Sequence, residues 1–292
     1  MTYGATPWQQ QAWDWRAAGN FMAGGAGAGL IVFAALSTLA GRPAPAQFAC
    51  GSALVSVGLF CVWLEIGRPL RALHVLLHPG TSWMSREAFV ATVLLPCALA
   101  AAFGIPFAAP LAGVLALAFV YCQARILKAS RGIPAWREPR IVPLVVATGL
   151  AEGGGLFMLS SLAHGPGGVA LAFLAAALVL ARWLLWRRYR GVLAAPAGAL
   201  NELDGMARWL LWVGTLGPLA LIGVSLAAAF LFAALDAGVA DSGIQAIAAA
   251  LGGAGALLAG AWFKFTLITR AAFNQGFAIQ RLPVRGVRRA AP

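Results

Sequence analysis

Apolar residues run through this chain in long blocks, broken by short stretches that carry nearly all of the charge. The blocks fall near 17–40, 46–66, 86–104, 108–128, 141–163, 167–187, 206–235 and 243–270. Each is long enough to cross ~30 Å of hydrocarbon as a helix. The short alternating segments of a membrane barrel are absent. The pattern therefore predicts an all-α bundle of eight transmembrane helices, and a single domain over residues 1–292, because no linker, repeat or low-complexity tail divides it. Gly-rich stretches such as "AGGAGAG" (23–29) and "GGAGALLAG" (252–260) lie inside blocks. They predict close helix packing through small residues. Neither has the strand before it that a phosphate-binding loop requires.

Composition agrees with the pattern. The chain is 61% hydrophobic and 10% charged, with mean hydropathy +0.82, against about 25% charged residues in soluble domains. The opening "MTYGATPWQQQAWDWR" lacks the basic region and short apolar core of a signal peptide, so the first helix is expected to be retained. Cys50, Cys61, Cys97 and Cys122 fall in or beside apolar blocks without CxxC spacing. They are expected to be buried small hydrophobes, with no iron–sulfur cluster in this chain.

Charge sets the orientation. With eight crossings, every Lys and Arg of the 21 except Arg42 falls on one side. Basic short loops mark the cytoplasm, so both termini and the basic loops are expected there. The net charge of +12 then reflects topology and not nucleic-acid binding.

One connection stands out: "EIGRPLRALHVLLHPGTSWMSRE", residues 65–87. Glu65 ends the second block and Glu87 begins the third, so both carboxylates should sit near one membrane surface. His74 and His78 are four apart, on one face of a helical turn. Arg68, Arg71 and Arg86 add cations, and Trp83 a flat apolar surface. Such a cleft suits a quinone, whose reduction takes up two protons and needs a titratable group nearby. The plainer alternative is that these charges only solvate loop ends among lipid headgroups. With three His in all, at loops or helix ends, no haem is expected.

Glu152 is different, lying mid-helix in "TGLAEGGGLF". A carboxylate at the bilayer centre costs ~2.5 kcal/mol or more. Lys264, in the last helix, is its candidate partner, as a proton route or as a structural pair. A mid-membrane charge beside glycine is also what a secondary transporter would use, although no matching interrupted helices appear in two halves. On the basic side, Arg131, Trp136, Arg137, Arg140, Arg270 and Phe273 interleave cations with aromatics. That mixture fits anionic lipid or a docked protein with an acidic rim.

The pattern "EIGRPLRA…SWMSRE", with "RGIPAW" and "KFTLITRAAFNQGF" further on, resembles the membrane-anchor subunits of dimethyl-sulfoxide-reductase-family molybdoenzymes, the DmsC-type branch of the NrfD-like superfamily. The resemblance covers nearly the whole chain. It implies an anchor without haem or cluster that binds a quinone, menaquinone or ubiquinone. It also implies two partners, a four-cluster ferredoxin-like iron–sulfur subunit and a molybdopterin catalytic subunit. Glu87 matches the family's quinone-site Glu. Glu65 stands where the sulfoxide-reductase anchor has a His, which leaves His74 or Arg71 to act as donor there. Within the family, "HPGTSWMSREAF" and "TRAAFNQGFAIQRLPVRG" look closest to the anchor of phenylacetyl-CoA:acceptor oxidoreductase, then to inward-facing sulfite dehydrogenase anchors. The implied setting is a bacterial or archaeal inner membrane, with a cytoplasmic docking face and electrons passing to quinone.

Overall fold

The computed structural model describes residues 6–65, 74–164, 168–234 and 242–276. Local chemistry sets the helix ends. Pro45 opens its helix, where the missing N–H costs nothing. Ser82 caps the next, accepting from the Ser85 N–H at 3.3 Å. Gly41 and Gly104, at φ +77° and +83°, end helices in the left-handed region.

Among the described residues, eight helices are long and apolar enough to span a membrane: α1 (Trp15–Leu39), α2 (Pro45–Glu65), α3 (Trp83–Ala102), α4 (Ala108–Ala129), α5 (Ile141–Ala163), α6 (Val169–Val192), α7 (Ala197–Ala233) and α8 (Gly243–Arg270). The protein is an all-α polytopic membrane bundle. A short helix, Pro134–Arg137, joins α4 to α5. The expected blocks match in number and order. The largest difference is α7, expected from 206 and starting at 197. At 1.5 Å per residue it is roughly 55 Å long, well beyond the hydrocarbon. Its first half is amphipathic, and Asp204 there pairs with Arg190 at 2.7 Å. It therefore extends past the membrane at the basic end, which an apolar-block reading could not register.

Packing divides the helices into inner and outer. In α1 and α5, 67% and 72% of the most apolar window is buried, against 22% in α7, so α1 and α5 form the centre and α7 faces lipid. Glycine permits the central contact. A Cβ on Gly153 would fall on the backbone of Gly29 and Leu30, and one on Gly155 on the Gly253 carbonyl, so α5 lies directly against α1 and α8. Phe60, Leu99, Phe107, Phe173, Val224, Phe230 and Leu258 point outward, as lipid contact requires. Trp15, Trp63, Trp209, Trp212 and Trp262 are exposed toward the basic end, where aromatic belts form. Of the four cysteines, Cys122 is buried as expected, Cys61 and Cys97 are half-buried, and Cys50 is exposed.

Among the described residues, three spans contain π-helical turns: Asn20–Gly24 in α1, Trp212–Leu216 in α7 and Thr266–Arg270 in α8. Such turns displace backbone carbonyls from regular i→i−4 bonding. All three lie beside the polar groups described next.

Candidate functional site

The buried face of α3 runs Glu87, Ala91, Leu94, Ala98, Ala101, the three-and-four spacing of one helical face. Glu87 is its first member, one turn inside the basic end. That register, and not proximity to the loop, turns its carboxylate inward. Glu87 is 4% exposed and accepts a hydrogen bond from Asn20 Nδ2 at 3.2 Å. Asn20 opens the π-turn of α1. The Asn20 carbonyl in turn accepts from Gln123 Nε2 of α4 at 3.0 Å.

Glu87 lines a partly open cavity of about 110 Å³ among α1, α2, α3 and α4. Trp13, Phe21, Val62, Met84 and Ile126 supply apolar walls, and Asn20, Glu65 and Glu87 the polar ones. The two carboxylates that the sequence placed near one surface thus share a cavity. An apolar cavity of ~150 Å³ holds a benzene ring, so this one accepts a substituted ring only if a wall moves. Met84 is unbranched and adaptable, and it stands 42% exposed at the rim.

Deeper in the bundle, Lys264 Nζ lies 2.5 Å from Glu152 Oε2 and donates to the Phe21 carbonyl at 2.8 Å. The predicted Glu152–Lys264 pair is therefore formed. Arg182 of α6 joins it. Its guanidinium donates to the Ala256 carbonyl at 2.8 Å and to the Gly214 carbonyl. Two of the three π-turns thus supply carbonyls, Phe21 and Gly214, to the buried cations. The Glu152 Oε1, Arg182 Nε and Thr266 Oγ1 atoms are buried without a partner.

Other expected site residues lie elsewhere. Trp83 does not line the Glu87 cavity. The Arg86 and Arg125 guanidinium carbons sit over its ring, each 4.2 Å from the centroid. Arg86 also donates to the Pro79 and Gly80 carbonyls at 2.7 Å, so it shapes the turn before α3. Residues 74–77 form a 3₁₀ turn, with His74 and His78 exposed and away from the cavity lining. Arg68 and Arg71 lie outside the described residues.

The docking set divides as well. Trp136 is 2% exposed. It donates to the Leu267 carbonyl at 2.9 Å and packs on Trp13 at 4.9 Å. It is a core residue and not a surface anchor, because its indole N–H satisfies a carbonyl in the π-turn of α8. Phe273 is half-buried, and its ring lies over Gly198. Arg131, Arg137, Arg140 and Arg270 are exposed. Arg137 donates to Gln275 Oε1 at 2.8 Å, and Arg270 lies over Trp262 at 4.7 Å. Arg125, Lys128, Arg131 and Arg137 line an open basin of about 780 Å³. Its carboxylate, Glu138, accepts from the Arg140 N–H at 3.4 Å.

Compared with known proteins, the chain matches no family model and no curated protein sequence.

Asn20, Gln123 and Arg182 are the site residues that sequence reasoning passed over. Each is a polar side chain inside an apolar block, the signal that singled out Glu152. Arg182 was counted with the cations of the connection after the sixth block, although position 182 lies within that block and within α6.

Proposed function

We propose that this chain is a haem-free, quinone-binding membrane anchor. In this reading it passes electrons from a partner iron–sulfur subunit to the quinone pool, in a cytoplasm-facing molybdopterin oxidoreductase of the phenylacetyl-CoA dehydrogenase type. By itself it would not turn over the complex's substrate. One observation carries the reading: Glu87 is buried, hydrogen-bonded and set in a half-open apolar cavity with a second carboxylate, at the basic end of the bundle. A redox-active lipid meets there an apolar slot, a hydrogen-bonding group for a ring oxygen, and an entry for protons past the half-exposed Glu65. Opening of the Met84 wall admits the headgroup.

In the same reading the basin of Arg125, Lys128, Arg131 and Arg137 receives an acidic rim of the iron–sulfur partner, with Arg140 and Arg270 beyond it. Related anchors, of sulfite dehydrogenases or of sulfoxide and polysulfide reductases, would use the same site with another catalytic subunit. The transporter alternative rested on Glu152, and the engagement of that carboxylate by Lys264 favours a fixed core over a substrate site.

The deciding experiment purifies the native complex carrying Glu87→Gln. Assembly should remain intact while quinone-coupled turnover falls by tenfold or more; unchanged turnover refutes the assignment. Arg137→Glu with Arg140→Glu should release the soluble subunits from washed membranes, and their retention refutes the docking surface.

A further inference from the structure

Among the described residues, four charged side chains are buried: Glu87, Glu152, Arg182 and Lys264. Glu152, Arg182 and Lys264 form one group with two cations and a single carboxylate, which leaves one positive charge in excess within the hydrocarbon. Uncompensated buried charge is strongly disfavoured. The remaining buried acid is Glu87. With Glu87 ionised, the four charges sum to zero.

The groups are also connected. Asn20 and Gln123 stand between Glu87 and Lys264, joined to Glu87 by the bonds already described. Over Gly25, the Lys264 Nζ and Gln123 Oε1 atoms approach the same point. Over Gly24, Gln123 Nε2 and Asn20 Oδ1 do the same. Asn20 Oδ1 and Gln123 Oε1 are both buried acceptors without a partner. Buried water characteristically satisfies such atoms. The glycines leave out the methyl groups that would occupy this seam. Two other titratable groups face Glu87, the Glu65 carboxyl across the cavity and the Cys122 thiol; Lys264 faces Glu152 and Arg182.

We propose that Glu87 and Lys264 share one transferable proton, carried by water held on the Asn20 and Gln123 amides. When the proton moves, an N–H bond of the Lys264 ammonium breaks and an O–H bond forms on the Glu87 carboxylate. Hydrogens shift one place along the water between them. Lys264 is left as an amine, the Glu152 carboxylate and the Arg182 guanidinium keep their opposite charges in the same buried core, and the seam remains neutral throughout. Lys264 is thus a positioning residue for the hydrogen that Glu87 presents to the cavity. The sharing stands on this geometry and charge count alone. Where the cavity ligand is a quinone, it gives Glu87 a proton from inside the bundle as well as from the surface.

The full chain allows a direct test, because Lys128 and Lys264 are its only lysines. In a Lys128→Arg background, ¹⁵Nε-lysine labelling reports Lys264 alone by solid-state NMR in liposomes, where ammonium and amine are resolved. Glu87→Gln, which fixes that site as neutral, should convert Lys264 to the amine, and Glu65→Gln should leave it as in the parent. A Lys264 ammonium in Glu87→Gln overturns the proposal. The reciprocal variant guards against a folding defect. In Lys264→Met, infrared spectra at neutral pH should gain a protonated carboxyl band that disappears when Glu87→Gln is added. Absence of that band overturns the sharing equally.

Discussion

Gly260 tests whether the polar core depends on missing methyl groups. A Cβ built there lies 2.6 Å from Glu152 Oε1, 2.7 Å from its Cγ and 3.0 Å from Arg182 Nη1. A flexible side-chain tip usually gives way cheaply. Glu152 cannot, because its other oxygen is held 2.5 Å from Lys264 Nζ. Gly260→Ala should therefore cost the ~1–3 kcal/mol of overpacking, plus a fraction of the ~3–5 kcal/mol that follows loss of a buried partner. Helix propensity returns about 0.5–1 kcal/mol, so the net loss should be about 2 kcal/mol. Gly223→Ala is the control: nothing lies within 4 Å of its Cβ, and the same propensity gain should leave it neutral or slightly stabilised. Denaturant unfolding in mixed micelles, followed by tryptophan emission, measures both. A Glu152→Ala background should then remove most of the Gly260→Ala penalty, since neighbours couple and distant sites add. Equal stability of the Gly260→Ala and Gly223→Ala proteins would refute the reasoning.

Three further outcomes follow from other contacts. Gly153→Ala drives a methyl into the α1 backbone, which no rotamer change relieves; it should cost about 3 kcal/mol or more in the same assay. Trp136→Phe keeps the packing on Trp13 but strands the Leu267 carbonyl, so stability should fall by about 1–3 kcal/mol while retention of the proposed soluble partners in washed membranes stays unchanged, as befits a core residue. Asp14 caps α1, accepting from the Arg16 N–H at 2.8 Å; Asp14→Ala should cost about 1 kcal/mol. The Arg16 side chain, hydrogen-bonded to the Asp14 carboxyl, holds that group below the usual carboxylate range. A lowered folded-state value stabilises above the unfolded value, and the gain is lost as pH falls through the folded one. The hydrogen-exchange protection factors at residues 15–19 should therefore fall below about pH 4 in the parent, and no such acid step should remain in Asp14→Ala.

The fold was legible because a membrane makes apolar length decisive: a block of about twenty residues has few alternatives to a spanning helix. The reading faltered where helix outlasted hydrocarbon. Residues 197–205 of α7 are helical through amphipathic packing, with Asp204 on Arg190, and carry no long apolar run. The glycine-rich stretches were correctly read as close packing, since Gly29 meets α5 and Gly253 meets Gly155. Their second use went unread. Gly25 and Gly260 sit beside Lys264 and Glu152, which lie far away in sequence, so no local pattern reveals that a glycine makes room for charge.

The site was half legible for a related reason. Residue type and depth named Glu87, Glu65, Glu152 and Lys264, because a carboxylate or ammonium within a span is conspicuous in any apolar block. Direction was not available from depth. Trp83 lies four residues before Glu87, at a similar level, yet its ring is covered by Arg86 and Arg125 while Glu87 heads the buried stripe of α3. The periodicity of that stripe was present in the sequence, and it separates an inward acid from an interfacial one better than nearness to the loop does. Charge balance is the constraint that local reading omits altogether. Counting Arg182 as a loop cation left Glu152 and Lys264 as a self-sufficient neutral pair; placing it in α6 leaves that pair one positive charge in excess, and the nearest buried acid able to offset it is the carboxylate facing the cavity. Under the proposed sharing, a core built this way ties the protonation of Glu87 to the electrostatics of the bundle interior.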